Sequence, residues 1–182
     1  MGLIILDRDG VINHDSDNYI RTVAQWVAIE GSIQAIADLS QAGYRIAIAT
    51  NQSGIGRGYY SLATLSAMHQ KMTDLVSAAG GSIAQLVFCP HLPSEHCACR
   101  KPEPGMLLQI LAAQQKSNTI DAHQTWFIGD SLRDLQAAWA IDMQTALVKT
   151  GKGQRTLDKG VIPAATPVFA DLAAFSQHLL SV

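Results

Sequence analysis

The sequence lacks any excess of charge of one sign: 13 lysines and arginines stand against 15 aspartates and glutamates, a net charge of −2 over 182 residues. No basic block or stripe interrupts that balance, which excludes a protein held to nucleic acid by its phosphates. No apolar run reaches the roughly 18 residues that a membrane-spanning helix needs. The amino terminus enters its first apolar segment without the charged region, long apolar core and cleavage site of a signal peptide. Leu6 stands where a myristoylation signal wants Ser or Thr. A cytoplasmic monomer with no nucleic-acid or membrane partner is expected. Cysteine is scarce, and Cys89, Cys97 and Cys99 lie within eleven residues; an odd, clustered set is not a disulfide framework. Internal repeats, low-complexity tracts and linkers are also missing. Hydrophobic residues are plentiful at 48%, enough for one sizeable core in a single domain spanning residues 1–182.

Those residues are patterned as short apolar runs alternating with longer segments of helical period. Strands are expected at 2–6, 45–50, 83–89, 125–129 and 144–149, with a short edge strand at 166–170. Helices are expected at 32–42, 61–79, 104–115, 131–140 and 171–180. In the first, Ile33, Ile36, Ala37 and Leu39 share a face and Gly43 ends the helix. In the second, Leu62, Leu65, Met68, Met72, Leu75 and Val76 form the inner face and Ser61 is the cap. Residues 150–166 are the least patterned and read as a surface loop. The alternation predicts an α/β domain, a Rossmann-like, mainly parallel sheet with helices on both faces. In such folds ligands bind beyond the carboxyl ends of the strands.

Polar chemistry gathers at that edge. Asp7 and Asp9 follow the first strand, "TNQSG" (50–54) the second, Cys89 and His91 the third, and "GDS" (129–131) the fourth, with Asp134 one helical turn on. Converging carboxylates repel one another in a low-dielectric pocket, and a divalent cation removes that cost. Mg²⁺ suits carboxylates, a backbone carbonyl and a phosphate oxygen. Aspartate is a nucleophile toward phosphorus, and a second carboxyl can protonate the leaving alkoxide and then activate water. Thr50 and Lys101 supply a hydroxyl and a cation for the phosphoryl charge. Two other readings fail on spacing. A calcium loop starting at Asp7 or Asp15 lacks the required ligand pattern, and "GIGRG" (54–58) lacks the full dinucleotide fingerprint.

Four motifs, "DRDG" (7–10), "TN" (50–51), "RKP" (100–102) and "GDSLRD" (129–134), resemble the haloacid dehalogenase superfamily of phosphatases in type and order. The resemblance implies Asp7 as nucleophile, Asp9 as general acid and base, and Thr50 and Lys101 as phosphoryl binders. It implies Mg²⁺ held by Asp7, the Asp9 carbonyl and Asp130, with Asp134 supporting from outside. Separately, "CPHLPSEHCACR" (89–100) carries Cys89, His91, Cys97 and Cys99, a closed tetrahedral set for structural Zn²⁺. His96 is a rival fourth ligand, and three free thiols are the alternative.

The zinc loop with "TNQSGIGRGYY" (50–60), "CRKPEPGM" (99–106) and "VKTGKG" (148–153) is similar to the branch of the superfamily that removes the C7 phosphate of heptose 1,7-bisphosphates. Histidinol-phosphate phosphatases are the neighbouring alternative, and a non-catalytic binding protein the alternative of another class. The gaps between Asp7, Thr50 and Lys101 leave no room for a cap domain. Substrate contacts are therefore expected from Asp15, Ser16, Asp17, Asn18 and Tyr19, from Asn51, Gln52, Ser53 and Arg57, and from Arg100 and Ser131. Arg100 neighbours Lys101, so alternation along an extended segment would turn it toward the sugar or its remote phosphate.

Overall fold

The computed structural model describes residues 2–115 and 125–181. Its strands are β1 (Leu3–Leu6), β2 (Arg45–Asn51), β3 (Gln85–Cys89), β4 (Thr125–Gly129), β5 (Gln144–Val148) and β6 (Val168–Phe169). They form one six-stranded sheet in the order β3-β2-β1-β4-β5-β6, and every pairing is parallel. The helices are α1 (Ser32–Gln41), α2 (Leu62–Ala78), α3 (Gly105–Gln115), α4 (Leu132–Trp139), α5 (Gly153–Leu157) and α6 (Leu172–Leu180). None of the helices is long and apolar enough to cross a membrane among the described residues.

The side-chain alternation of a strand divides the core into two layers. Ile4 and Leu6 of β1 pack with Ile36 and Leu39 of α1, Met68 and Met72 of α2 and Phe175 of α6. Leu3 and Ile5 face the other way, toward Met106, Leu107 and Ile110 of α3 and Ala137 and Ala138 of α4. All four β1 side chains are fully buried, which explains a continuous apolar run rather than an alternating one.

Three expectations need correction. Leu62 and Leu75 are 58% and 39% exposed; the inner face of α2 is Leu65, Met68, Met72 and Val76. At 3.6 residues per turn both leucines fall about 70° from the centre of that stripe. In α1, Ile33 is only half-buried, and Ser32 and Ala35 are buried beside Ile36. The 150–166 segment contains α5, in which Gly153 and Thr156 are buried. Five residues are too few to show a helical period.

The strand order reverses at β1. The chain winds outward to β2 and β3, then returns to place β4 on the other side of β1. The crevice beyond the carboxyl ends of β1 and β4 is therefore the topological switch point. No separate cap interrupts the described connections around it.

Candidate active site

Asp7 continues from β1, and its amide donates to the Ile128 carbonyl of β4 at 2.9 Å. Asp130 follows β4 directly. Lys101 is 2% exposed. Its ammonium contacts Asp7 Oδ1 at 2.9 Å and Asp134 Oδ1 at 2.7 Å, and it donates to the Ala49 carbonyl at 2.8 Å. Asp134 closes the first turn of α4, where its Oδ2 accepts from the Ser131 amide at 3.0 Å and the Ser131 hydroxyl at 2.6 Å. Asp130 Oδ2 accepts from the Lys152 amide at 2.7 Å. Gly10, at φ +85°, lies against the Asp130 carboxylate, where a methyl group would collide with it.

The carboxylate oxygens of Asp7, Asp130 and Asp134 lie within 4.8 Å of one another. Burial lifts the Asp7 carboxyl to about 7; Lys101 opposes this, while Asp134 and Asp9 add to it. Burial and the charges of Asp134 and Asp7 hold Asp130 well above the usual carboxylate range. For Asp134 the burial cost is outweighed by Lys101 and Ser131, and its pKa falls below the ordinary value. Lys101 thus satisfies Asp134 and part of Asp7. The charge left on Asp7 and Asp130, with oxygen donors only, fits Mg²⁺.

Asp9 has a different setting. Its carboxylate accepts from Arg8 Nε and Nη2, from Asn13 Nδ2 at 2.8 Å and from Gln52 Nε2 at 2.8 Å. Burial alone would raise its pKa; the Arg8 charge and these donors bring it below the ordinary value. Its side chain stands apart from the three-carboxylate cluster, so only its main-chain carbonyl could serve a cation there.

Asp7, Asp9, Thr50, Lys101, Asp130 and Asp134 line one cavity of about 200 Å³, small beside the roughly 300–1,000 Å³ of drug-sized pockets. Asp15, Ser16, Asp17, Tyr19, Asn51, Gln52, Ser53, Arg100 and Ser131 also line it. Asn18 and Arg57 do not. Arg57 is exposed, with its guanidinium 6.0 Å from the Tyr19 ring centre. Asn51 pairs with the main chain of Lys101 through both ends of its amide, which orients the lysine. Gln52 donates to Thr50 Oγ1 and accepts from the Tyr60 hydroxyl at 2.6 Å.

Sequence reasoning missed Arg133 and Lys152, which complete the cavity wall with Arg100. Both lie in quoted motifs, "GDSLRD" and "VKTGKG", but only the aspartates and the likeness were used. Lys152 reaches Asp15 Oδ2 at 2.7 Å. Burial and the nearby charge of Arg133 lower the pKa of Arg100, so the two cations lie close enough to repel one another. Arg8 was missed because its neighbours carried the motif.

Cys89, His91, Cys97 and Cys99 present Sγ and Nδ1 atoms at separations of 3.3–3.6 Å. A tetrahedron with Zn–S near 2.3 Å and Zn–N near 2.05 Å has edges of roughly 3.5–3.8 Å, so the four fit zinc. His96 is exposed and outside this cluster. The loop leads directly into Arg100, whose Nη1 donates to the His91 carbonyl at 3.2 Å.

A HAD-hydrolase-like family model matches residues 98–175. A Pseudomonas putida protein named D-glycero-beta-D-manno-heptose-1,7-bisphosphate 7-phosphatase is 57% identical over 180 residues, covering 99% of this chain and 100% of that protein. A Neisseria meningitidis protein of the same name is 50% identical, covering 99% and 95% respectively. The crystal structure of the D,D-heptose 1,7-bisphosphate phosphatase of B. bronchiseptica, complexed with magnesium and phosphate, superposes with a TM-score of 0.94 at 46% identity, over 100% of this chain and 99% of that one. The corresponding Burkholderia thailandensis structure gives 0.75 at 43% identity, over the whole of both chains.

Proposed function

The chain belongs to the family of D-glycero-beta-D-manno-heptose-1,7-bisphosphate 7-phosphatases, haloacid dehalogenase-like hydrolases, and from that premise we propose how its residues carry the reaction. The enzyme is a magnesium-dependent phosphomonoester hydrolase that releases the C7 phosphate of heptose 1,7-bisphosphate and leaves the 1-phosphate. The observation that carries the assignment of roles is Asp7, fixed by Lys101 at the floor of a cavity whose wall bears Arg100, Arg133 and Lys152. One end suits a phosphoryl group meeting a nucleophile, and the other suits a second anion.

In this reading an Asp7 oxygen bonds to phosphorus as the bond from phosphorus to the C7 oxygen breaks. Asp9, ionised in the resting cleft, takes up a proton as the phosphate dianion enters beside it and passes that proton to the departing alkoxide. Water then attacks the aspartyl phosphate, Asp9 takes its proton, and inorganic phosphate leaves with Asp7 restored. Thr50 donates to one phosphoryl oxygen, Lys101 turns the hydrogen it gives Asp7 toward another, and Ser131 lies beside them. When held by Asp7, Asp130 and the Asp9 carbonyl, Mg²⁺ supplies the positive charge that lets a phosphate dianion approach a carboxylate. Zinc held by Cys89, His91, Cys97 and Cys99 has no open position and braces the loop that presents Arg100 and Lys101.

Arg100 and Arg133 favour a substrate with a second phosphate over histidinol phosphate, whose amine they would repel. Tyr19, Asp15, Ser16 and Asp17 border the sugar. We assign Asn18 and Arg57 to the rim of this loop pair. The same proposal takes residues 1–182 as one domain acting as a monomer. A reducing cytoplasm suits its thiolates. The test is kcat/KM on both anomers of heptose 1,7-bisphosphate and on histidinol phosphate. Preference for a bisphosphate, the β anomer foremost, supports the reading. Preference for histidinol phosphate overturns the assigned substrate, and absence of phosphate release from all three would leave a binding protein.

A further inference from the structure

Arg8 is 1% exposed and sits behind the cavity rather than among the residues that line it. Its amide donates to Asp7 Oδ1 at 2.7 Å. Its Nε and Nη2 fork onto the Asp9 carboxylate at 3.2, 2.8 and 2.9 Å. Its remaining nitrogen, Nη1, is 3.3 Å from Nε2 of His69. A guanidinium has no acceptor, so Arg8 donates and His69 accepts. His69 lies on α2 directly after Met68 of the buried stripe, and its ring is 6.0 Å from that of Phe88. Burial, then the Arg8 charge, lowers its pKa to about 4. The ring is neutral at working pH, with Nε2 free to accept.

We infer that His69 is a positioning residue for the acid–base carboxylate, acting through Arg8. The inference rests on the assignment of Asp9 as acid and base. The two oxygens of Asp9 receive donors from Arg8, Asn13 and Gln52, so the carboxylate is held in one plane. To protonate the alkoxide it must yield one donor while keeping that plane. The fork can hold the plane only if the guanidinium does not rotate, and His69 fixes the corner opposite the fork. Without His69, Nη1 becomes a buried donor lacking this acceptor, a loss the guanidinium can relieve by turning away from Asp9.

The distinguishing measurement is the leaving-group dependence of kcat/KM, which covers steps only through departure of the first leaving group. A sugar alkoxide needs a proton from Asp9, whereas p-nitrophenolate does not. His69→Leu should lower kcat/KM for heptose 1,7-bisphosphate by about 10–100-fold, no more than the lower end of the roughly 10²–10⁴-fold that general acid catalysis supplies, and for p-nitrophenyl phosphate by much less. His69→Gln, whose carbonyl can replace Nε2 as acceptor, should recover most of the loss. Asp9→Asn should show the same selectivity more strongly. Equal losses on both substrates in His69→Leu, or no recovery with Gln, would overturn the role of His69 while leaving Asp9 intact. An unselective loss in Asp9→Asn would overturn the acid–base assignment beneath it.

Discussion

Asp7 and Asp9 are separated by one residue and live in opposite fields. Asp7 is a buried carboxylate with its pKa at about 7, whereas Asp9 is held below the ordinary range by Arg8, Asn13 and Gln52. The raised value has a sign that can be tested. In metal-free protein, folded Asp7 binds its proton more tightly than unfolded Asp7. The stability this gives is present below the unfolded pKa near 4 and is lost as pH rises through about 7. Added Mg²⁺ should therefore raise Tm more at pH 8 than at pH 5, and Asp7→Asn should remove most of that difference; thermal melts in EDTA and in Mg²⁺ check it. The same substitution should lower turnover by on the order of 10⁴–10⁶-fold, the scale seen when a covalent nucleophile is removed. Arg100→Ala should reduce kcat/KM for the bisphosphate by roughly 1.5–3 kcal/mol, the worth of a hydrogen bond to a charged group, and should spare p-nitrophenyl phosphate. At this scale the sequence made the aspartates, Thr50 and Lys101 legible because they recur at strand ends. Arg8 was hidden between two aspartates that carried the motif, and Lys152 because its partner Asp15 meets it only once the chain has folded.

The strands and the cysteine loop do the placing. β1 and β4 are in register from Leu3 with Thr125 to Leu6 with Ile128, so Asp7 and Asp130 emerge side by side without any contact of their own being required. The loop after β3 brings Cys97 and Cys99 back to Cys89 and His91, and thereby aims Arg100 and Lys101. Cys99→Ser should lose zinc and lower activity on the bisphosphate. Brief EDTA treatment should instead abolish activity reversibly, with added Mg²⁺ restoring it while zinc stays bound; metal analysis beside the assay separates the two. The ligand spacing was readable because the four residues are local. The α5 helix was not readable. It is short, and it docks because Thr156 Oγ1 donates to the Asp130 carbonyl at 3.0 Å, a contact between residues 26 positions apart. Leu62 and Leu75 show the complementary error, in which apolar character on the margin of a stripe was taken for burial.

Across the whole molecule, the parallel sheet and its reversal at β1 assemble one small, charged cleft with no cap domain over it among the described residues. Alternating strands and helices announced that architecture, and the order of the strands followed only from their pairing. A site without a cap must discriminate with its own wall. In the proposed reading, Arg100, Arg133 and Lys152, which line the cleft together with Asp7 and Lys101, impose a direction on a bisphosphate. The most direct test of that claim is ³¹P NMR of the products from D-glycero-β-D-manno-heptose 1,7-bisphosphate with Mg²⁺ present. The account predicts equimolar inorganic phosphate and heptose 1-phosphate, with the anomeric phosphate resonance retained. Loss of that resonance with survival of the C7 phosphate would contradict it.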